Sequence, residues 1–279
     1  MENSVNLGKI NLKSRKSEEI RRVSNHVPST IQPDTLFTFT TQLEFLLKYL
    51  KNRMISPRYC EEDVRYLYIK GIKYIAYPMK CFCDINMRKL NYHMEWYGDY
   101  GIAFEKDWGM KHNIQPVHYL NENSDLRKDI SKVFRAVIKE EERGSKTHEM
   151  LKNYLLHELM YYKPYQGKIR NRKNRGVYQK CFTDECEWRY IPDVSSMNLQ
   201  QAIPESVSHE DGFLQLYSDA MDLNKDVSLC FEYSNIKHII VQTLDEYRIL
   251  SDAVESWGVE DKAEILSKVI VWKDKKEDF

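Results

Sequence analysis

"LFTFTTQLEFLLKYL", Leu36 to Leu50, changes period halfway along. Its opening residues alternate bulky apolar side chains with threonines, which is the two-residue period of a strand. Beyond Thr41, Leu43, Leu46, Leu47 and Leu50 recur at helical spacing and share one face. A strand running at once into an amphipathic helix opens a mixed domain, and both periods recur outward from it.

Toward the C-terminus, "KYIAYPMKCFCDI" (Lys73 to Ile85) is rich in β-formers and interrupted by Pro78, which predicts two short strands or one bent strand. Gly98 and Gly101 permit a tight turn before a strand at Ile102 to Phe104, and "PVHYL" (Pro116 to Leu120) reads as another strand. From Ser124 to Tyr162 the pattern is helical. Gly144 marks the break between two helices, and Met150, Leu151, Tyr154, Leu155 and Leu159 form the expected core stripe of the second. "VSLCFEY" and "IKHIIVQ" are strand-like. "TLDEYRILSDAVESWG" is a helix with Asp245 and Glu246 in its first turn, where the backbone dipole favours them. "ILSKVIVWKD" passes from helix to strand. The expected fold class is α+β, a mixed, mainly antiparallel sheet flanked by helices. Toward the N-terminus the periodicity stops. Residues 1–33 read as a polar arm dispensable for folding, and 34–279 as a single α+β domain.

Lysine plus arginine and aspartate plus glutamate both count 42, so no global field favours nucleic acid or an anionic membrane. There is no apolar run of the roughly 20 residues a membrane span needs. Met1 to Ser17 lacks the apolar core of a secretory signal, so a cytoplasmic location and no membrane partner are expected. Six cysteines are too sparse for a disulfide scaffold. Cys81, Cys83, Cys181 and Cys186 are spaced C-x-C and C-x4-C, unlike paired zinc knuckles, and are read as buried thiols, with no metal site. The nucleophile elbow, the P-loop, the dinucleotide glycine fingerprint and H-E-x-x-H are all missing, which removes support for those chemistries.

Two stretches concentrate charge. "GKIRNRKNRG", Gly167 to Gly176, carries five cations and is read as a loop, solvated or in contact with nucleic acid through Lys168 to Arg175. "FTDECEWRYIP", Phe182 to Pro192, is read as a strand. Alternation puts Glu185, Glu187 and Arg189 on one face and Cys186, Trp188 and Tyr190 on the other, toward a core. Paired carboxylates at this spacing can share one ligand or raise each other's pKa; the bland alternative is a solvated face with an ion pair. Trp188 is expected to be the most stability-sensitive residue of the stretch.

Taken together, "LFTFTTQLEFLLKYL", "ISPRYCEED", "IAYPMKCFCDI", "YGDYGIAFEKDWG", "PVHYL", "YYKPYQG" and "DECEWRYIP" resemble the AbiGi family of bacterial abortive-infection proteins. The resemblance implies anti-phage defence and the antitoxin or regulator half of a toxin–antitoxin pair, with a nucleotidyltransferase-like toxin, or another defence protein encoded nearby, as partner. A looser likeness is to the ADP-ribosyltransferase plan. It implies, as the alternative, an NAD-dependent transferase in which Glu187 is the key glutamate and Glu185 the upstream member of E-x-E. Thr38 on the first strand and Arg189 would then contact NAD, and Tyr97 or Tyr100 would stack on the nicotinamide. Relatives of that plan often carry His beside the first-strand aromatics, whereas this chain has Thr38, whose hydroxyl can bond a ribose but brings no imidazole. The expected geometry is a pocket in which Glu185, Glu187 and Arg189 face Thr38 and the Tyr97–Tyr100 turn. A third possibility is a pocket that senses a nucleotide without chemistry.

Overall fold

A computed structural model describes residues 32–139, 145–171, 174–209 and 212–275. The expected arm, apart from its last two residues, lies outside them, as does the break at Gly144. Residues from Gln32 onward gather into one unit.

The chain opens as its periods dictate, with β1 (Thr35–Thr40) leading into α1 (Leu43–Asn52). Leu43, Leu46 and Leu50 are buried, and Arg53 ends the helix in the left-handed conformation. Then come β2 (Met54–Ile55), β3 (Arg58–Asp63), β4 (Tyr74–Cys83), α2 (Leu90–Tyr97), β5 (Tyr100–Glu105), α3 (Lys106–Lys111), β6 (Gln115–Pro116) and β7 (His118–Leu120). The helical pair is α4 (Asp125–Lys139) and α5 (Lys146–Tyr161), followed by β8 (Tyr162–Pro164), β9 (Gln166–Arg170), β10 (Val177–Cys181) and β11 (Glu187–Tyr190). The remainder is β12 (Ile203–Pro204), α6 (Glu205–Ser208), α7 (Phe213–Met221), β13 (Leu229–Cys230), β14 (Ile236–Val241), α8 (Leu244–Ser256), α9 (Lys262–Ser267), β15 (Val269–Val271) and α10 (Trp272–Lys275).

The main sheet has the order β15-β14-β5-β1-β4-β11-β6, with β3 and β12 also on β4. Every pairing in it is antiparallel except β14 with β15, so the class is α+β as read. One face packs Leu36, Phe82, Ile102 and Phe104 against α1, α3, α8 and α9. The other packs Phe37, Cys83, Ala103 and Ile240 against Leu90 and Met94 of α2 and Trp272 of α10. A separate cluster joins Tyr77 and Met79 of β4 to Phe134 of α4 and to Leu155 and Leu159 of α5.

One pair of alternatives is decided, in favour of a single strand, and three readings are corrected. Pro78 does not divide β4. On one edge the partner changes from β12 at Ala76 to β11 at Lys80, and Pro78, with no N–H to donate, occupies the gap. "PVHYL" is two short strands on different partners, β6 on β11 and β7 on β8. "VSLCFEY" pairs only at Leu229 and Cys230. Of the expected stripe on α5, Leu155 and Leu159 are buried, while Met150, Leu151 and Tyr154 are exposed because nothing among the described residues covers that first half of the helix. The cysteines also differ from expectation: Cys83 is buried, Cys81 and Cys230 are exposed, and the rest are half-buried. Among the described residues no cluster of His, Cys, Asp and Glu is placed to hold a metal, and no helix is long and apolar enough to cross a membrane.

Candidate functional site

β11 pairs with β4 so that Glu187 lies opposite Cys83 and Arg189 opposite Cys81. On the far edge of β4, Glu62 of β3 lies opposite Ile75. Alternation then sets Glu62, Tyr77, Arg189 and Glu187 on one sheet face. Over that face lies the parallel pair of β7 and β8, with Tyr119 beside Lys163. Four strands with charged residues, β3, β8, β10 and β11, and the ends of α2 and α5 thus converge on a single patch.

The patch is interior. Arg189 is 0% exposed, Glu187 5% and Glu185 3%. Arg189 Nε donates to Glu187 Oε1 at 2.7 Å, and its Nη2 donates to Glu62 Oε2 at 3.0 Å. Its Nη1 donates to the Tyr77 hydroxyl at 2.6 Å and to the Met160 carbonyl at 2.7 Å, at the end of α5. Lys163 Nζ bridges the two glutamates, to Glu185 Oε2 at 2.5 Å and to Glu187 Oε2. The Glu187 backbone N–H donates to the Tyr119 hydroxyl at 2.8 Å. Glu185 Oε1 accepts from Lys180 at 2.7 Å and from Tyr97. Glu62, Glu185 and Glu187 face Lys163, Lys180 and Arg189, so the cluster is electrically balanced. Balance is what burial demands, since an unpaired ion in a low-dielectric interior costs several kcal/mol.

The electrostatics follow from this pairing. Burial alone would push the Glu187 carboxyl up, but Arg189 and Lys163 outweigh it and hold the group well below the usual carboxylate range. Glu185 is likewise lowered, burial being overcome chiefly by Lys163. Burial disfavours the Lys163 ammonium, yet Glu187 and Glu185 hold its pKa well above the ordinary lysine value. Glu185, Glu187, Lys163 and Arg189 are therefore charged at neutral pH, and both Glu187 oxygens are occupied. His93, its ring centroid 4.5 Å from that of Tyr97, is pushed down to about 4 by burial, with Lys180 and Lys163 adding to the effect, and is therefore neutral. Lys180 also lies 5.0 Å from the centroid of Trp96 and 4.7 Å from that of Tyr97, over both rings.

The residues expected to share a pocket are only partly brought together. Glu187 and Arg189 do share a face, as alternation requires. Glu185 reaches them by another route: residues Phe182–Glu185 form a 3₁₀ turn, and Cys186 adopts a left-handed φ of 41° before the strand begins. The charged face is the buried one, and Trp188 and Tyr190 on the other side are half-buried, so neither a solvated ion pair nor a fully buried Trp188 is found. Tyr97 joins the cluster through its hydroxyl. Tyr100, beyond the turn, donates instead to Glu246 at 2.5 Å, at the start of α8. Thr38 pairs with Ile102, on the opposite sheet face from Glu187, and its hydroxyl donates to the Cys81 carbonyl at 2.9 Å. The turn itself needs Gly98: its φ is +142°, and a Cβ there would run into the Thr40 carbonyl.

These residues do not fit NAD in the roles the transferase plan assigns. Glu187 is buried with both oxygens engaged by Arg189 and Lys163, and Thr38 faces away. A cleft of about 580 Å³ lies elsewhere, lined by Tyr74, Ile75, Pro204, Glu205 and His209 among others, and includes no member of the cluster. Lys163, Glu62, Tyr77 and Tyr119 escaped the sequence reading. The available signal was Lys163 itself, a lone cation in the aromatic run "MYYKPY".

Comparison with known proteins covers all of this region. The family model described as "Putative abortive phage resistance protein AbiGi, antitoxin" matches residues 52–242. That span includes every residue of the charged cluster and excludes Thr38. The abortive phage resistance protein AbiGi of Lactococcus lactis subsp. cremoris is 29% identical over 249 residues, which is 80% of this chain and 98% of that protein. No solved structure matches.

Proposed function

The chain belongs to the AbiGi family of abortive phage resistance proteins, and on that premise we propose that it acts in anti-phage defence as the antitoxin of a toxin–antitoxin pair. The observation that carries this reading is the family match, which spans the sheet centre, the helical pair and the charged cluster together. The chemistry of the cluster supports a role without catalysis. Glu185 and Glu187 are ionised, buried and each held by two cations, so they serve as an internal brace between β11, β8 and the end of α5. A general acid or base needs a pKa near the working pH and access to substrate, and Glu187 has neither. The cognate toxin is the expected partner.

The test is growth. Induction of the neighbouring toxin gene alone should arrest cells, and co-expression of this chain should restore them. At the intact locus, deleting this gene should change the plating efficiency of at least one phage. Failure of co-expression to restore growth would overturn the antitoxin role. Toxicity of this chain by itself, lost in a folded Glu187→Gln variant, would return the transferase reading in its place.

A further inference from the structure

The β9–β10 ribbon gathers positive charge, and of its described cations only Lys180 is matched, by Glu185. Between Pro164 and Thr183 the sequence holds six lysines and arginines and no aspartate or glutamate, in a chain of zero net charge. The expected basic loop is in fact largely a hairpin. Its register sets Lys168 opposite Gln179 and Arg170 opposite Val177, so these four side chains share one face, and all four are exposed. Among the described residues none of Lys168, Arg170 and Arg175 is in an ion pair.

The ribbon is held as a platform. Asn171 is buried; its N–H donates to the Gly176 carbonyl at 2.8 Å and its side chain to the Glu95 carbonyl of α2 at 3.3 Å. Arg175 takes a left-handed φ of 58° and donates its N–H to the Asn171 carbonyl. The opposite face of the ribbon meets aromatic rings. Tyr178 sits edge-on to Trp96 with centroids 5.3 Å apart, and Tyr92, one helical turn before Trp96, is 73% exposed. The one carboxylate on this helix is Glu95.

We propose that a single-stranded nucleic acid wraps the edge of this ribbon, with Lys168 and Arg170 on one face and Arg175 in the turn contacting phosphates, and Tyr92 and Tyr178 on the opposite side against bases. Unpaired cations on a fixed backbone are what polyphosphate binding uses, through release of counterions. Exposed rings on the opposite face add stacking for bases that are not already paired, and a flexible single strand can reach both faces where a duplex cannot. The inference does not depend on the antitoxin role.

The experiment is a fluorescence-anisotropy titration of the full chain against labelled oligouridylate, oligodeoxythymidylate and a hairpin duplex, each at several salt concentrations. Both single strands should bind more tightly than the duplex, with their ratio giving the sugar preference. Lys168→Glu/Arg170→Glu/Arg175→Glu should weaken binding about tenfold or more and reduce the salt slope by about 2, given roughly 0.7 per phosphate contact on a single strand. Tyr92→Ala should cost about fivefold or more through lost stacking. Both variants replace exposed side chains and should melt like the parent protein. Absence of single-strand binding, tighter binding of the duplex, or a triple variant that binds like the parent would each overturn the proposal. So would loss of toxin capture by the triple variant while the parent binds no strand, which would assign the ribbon to a protein partner.

Discussion

The β9–β10 ribbon and strand β11 follow one another in sequence, and both are dense in charge, yet the fold treats them in opposite ways. On β11, Glu187 and Arg189 are sealed inside and matched by Lys163, Glu185, Lys180 and Glu62 until the sum is zero. On the ribbon, Lys168 and Arg170 stand in solvent without partners among the described residues. Water supplies outside what only stoichiometric pairing can supply inside. Substitutions in the two regions should therefore differ in kind as well as in size.

The largest effect should come from Arg189→Met. It leaves Glu187 and Glu62 without their guanidinium and should lower the unfolding free energy by about 3–5 kcal/mol in a urea titration. Glu187→Gln combined with Arg189→Met should lose less than the two single losses added, because each single change strands a charge that the double change removes. A strictly additive result would break the contrast between the regions. Trp188→Ala should rank below Arg189→Met, at about 2 kcal/mol, since a half-buried ring forfeits less than the 3–5 kcal/mol of a fully buried one.

Acid should act on the interior in two stages. His93 has a folded pKa near 4 against 6.5 for the free side chain, so the unfolded state takes up the proton first. Its contribution is complete above pH 6.5 and is lost as pH falls toward 4. The lowered carboxyls of Glu185 and Glu187 contribute fully above the ordinary value of 4.5 and lose that contribution progressively below it. Stability measured from pH 7 to 3 should fall through both windows, and His93→Phe should flatten the upper one. The smallest effect belongs to the ribbon, where the triple charge reversal should change stability by no more than about 0.5 kcal/mol. A large loss there would mean that the hairpin charges have hidden partners.

What the sequence revealed of this contrast was local. The period change at Thr41, the alternation of Glu187 with Trp188 and the helix signal around Asp245 and Glu246 need only near neighbours, and each appears as read. Which side of β11 is buried depends on Lys163, Tyr77 and Glu62, which no local rule brings to Arg189; 127 residues separate Glu62 from it. The hairpin was missed because a run of cations has no apolar alternation. Its turn rests on Asn171, Asn174 and Gly176, whose backbone bonds carry the reversal instead. The exposed first half of α5 shows the converse: an apolar stripe at helical spacing states what a helix can bury, and the packing decides how much of it is covered.

β4 has a consequence for the order of events during synthesis. It is the spine on which β1, β3, β11 and β12 all register. Arg189 must find Tyr77 across 112 residues of intervening chain. Contacts of such long range slow folding, because loop closure is completed before they give any return. A growing chain that has emitted β4 must hold one of its edges open until β11 and β12 leave the ribosome. Through that interval the unpaired strand is a template for other chains, so the newly made protein should depend on its rate of synthesis and on chaperones far more than the finished one does.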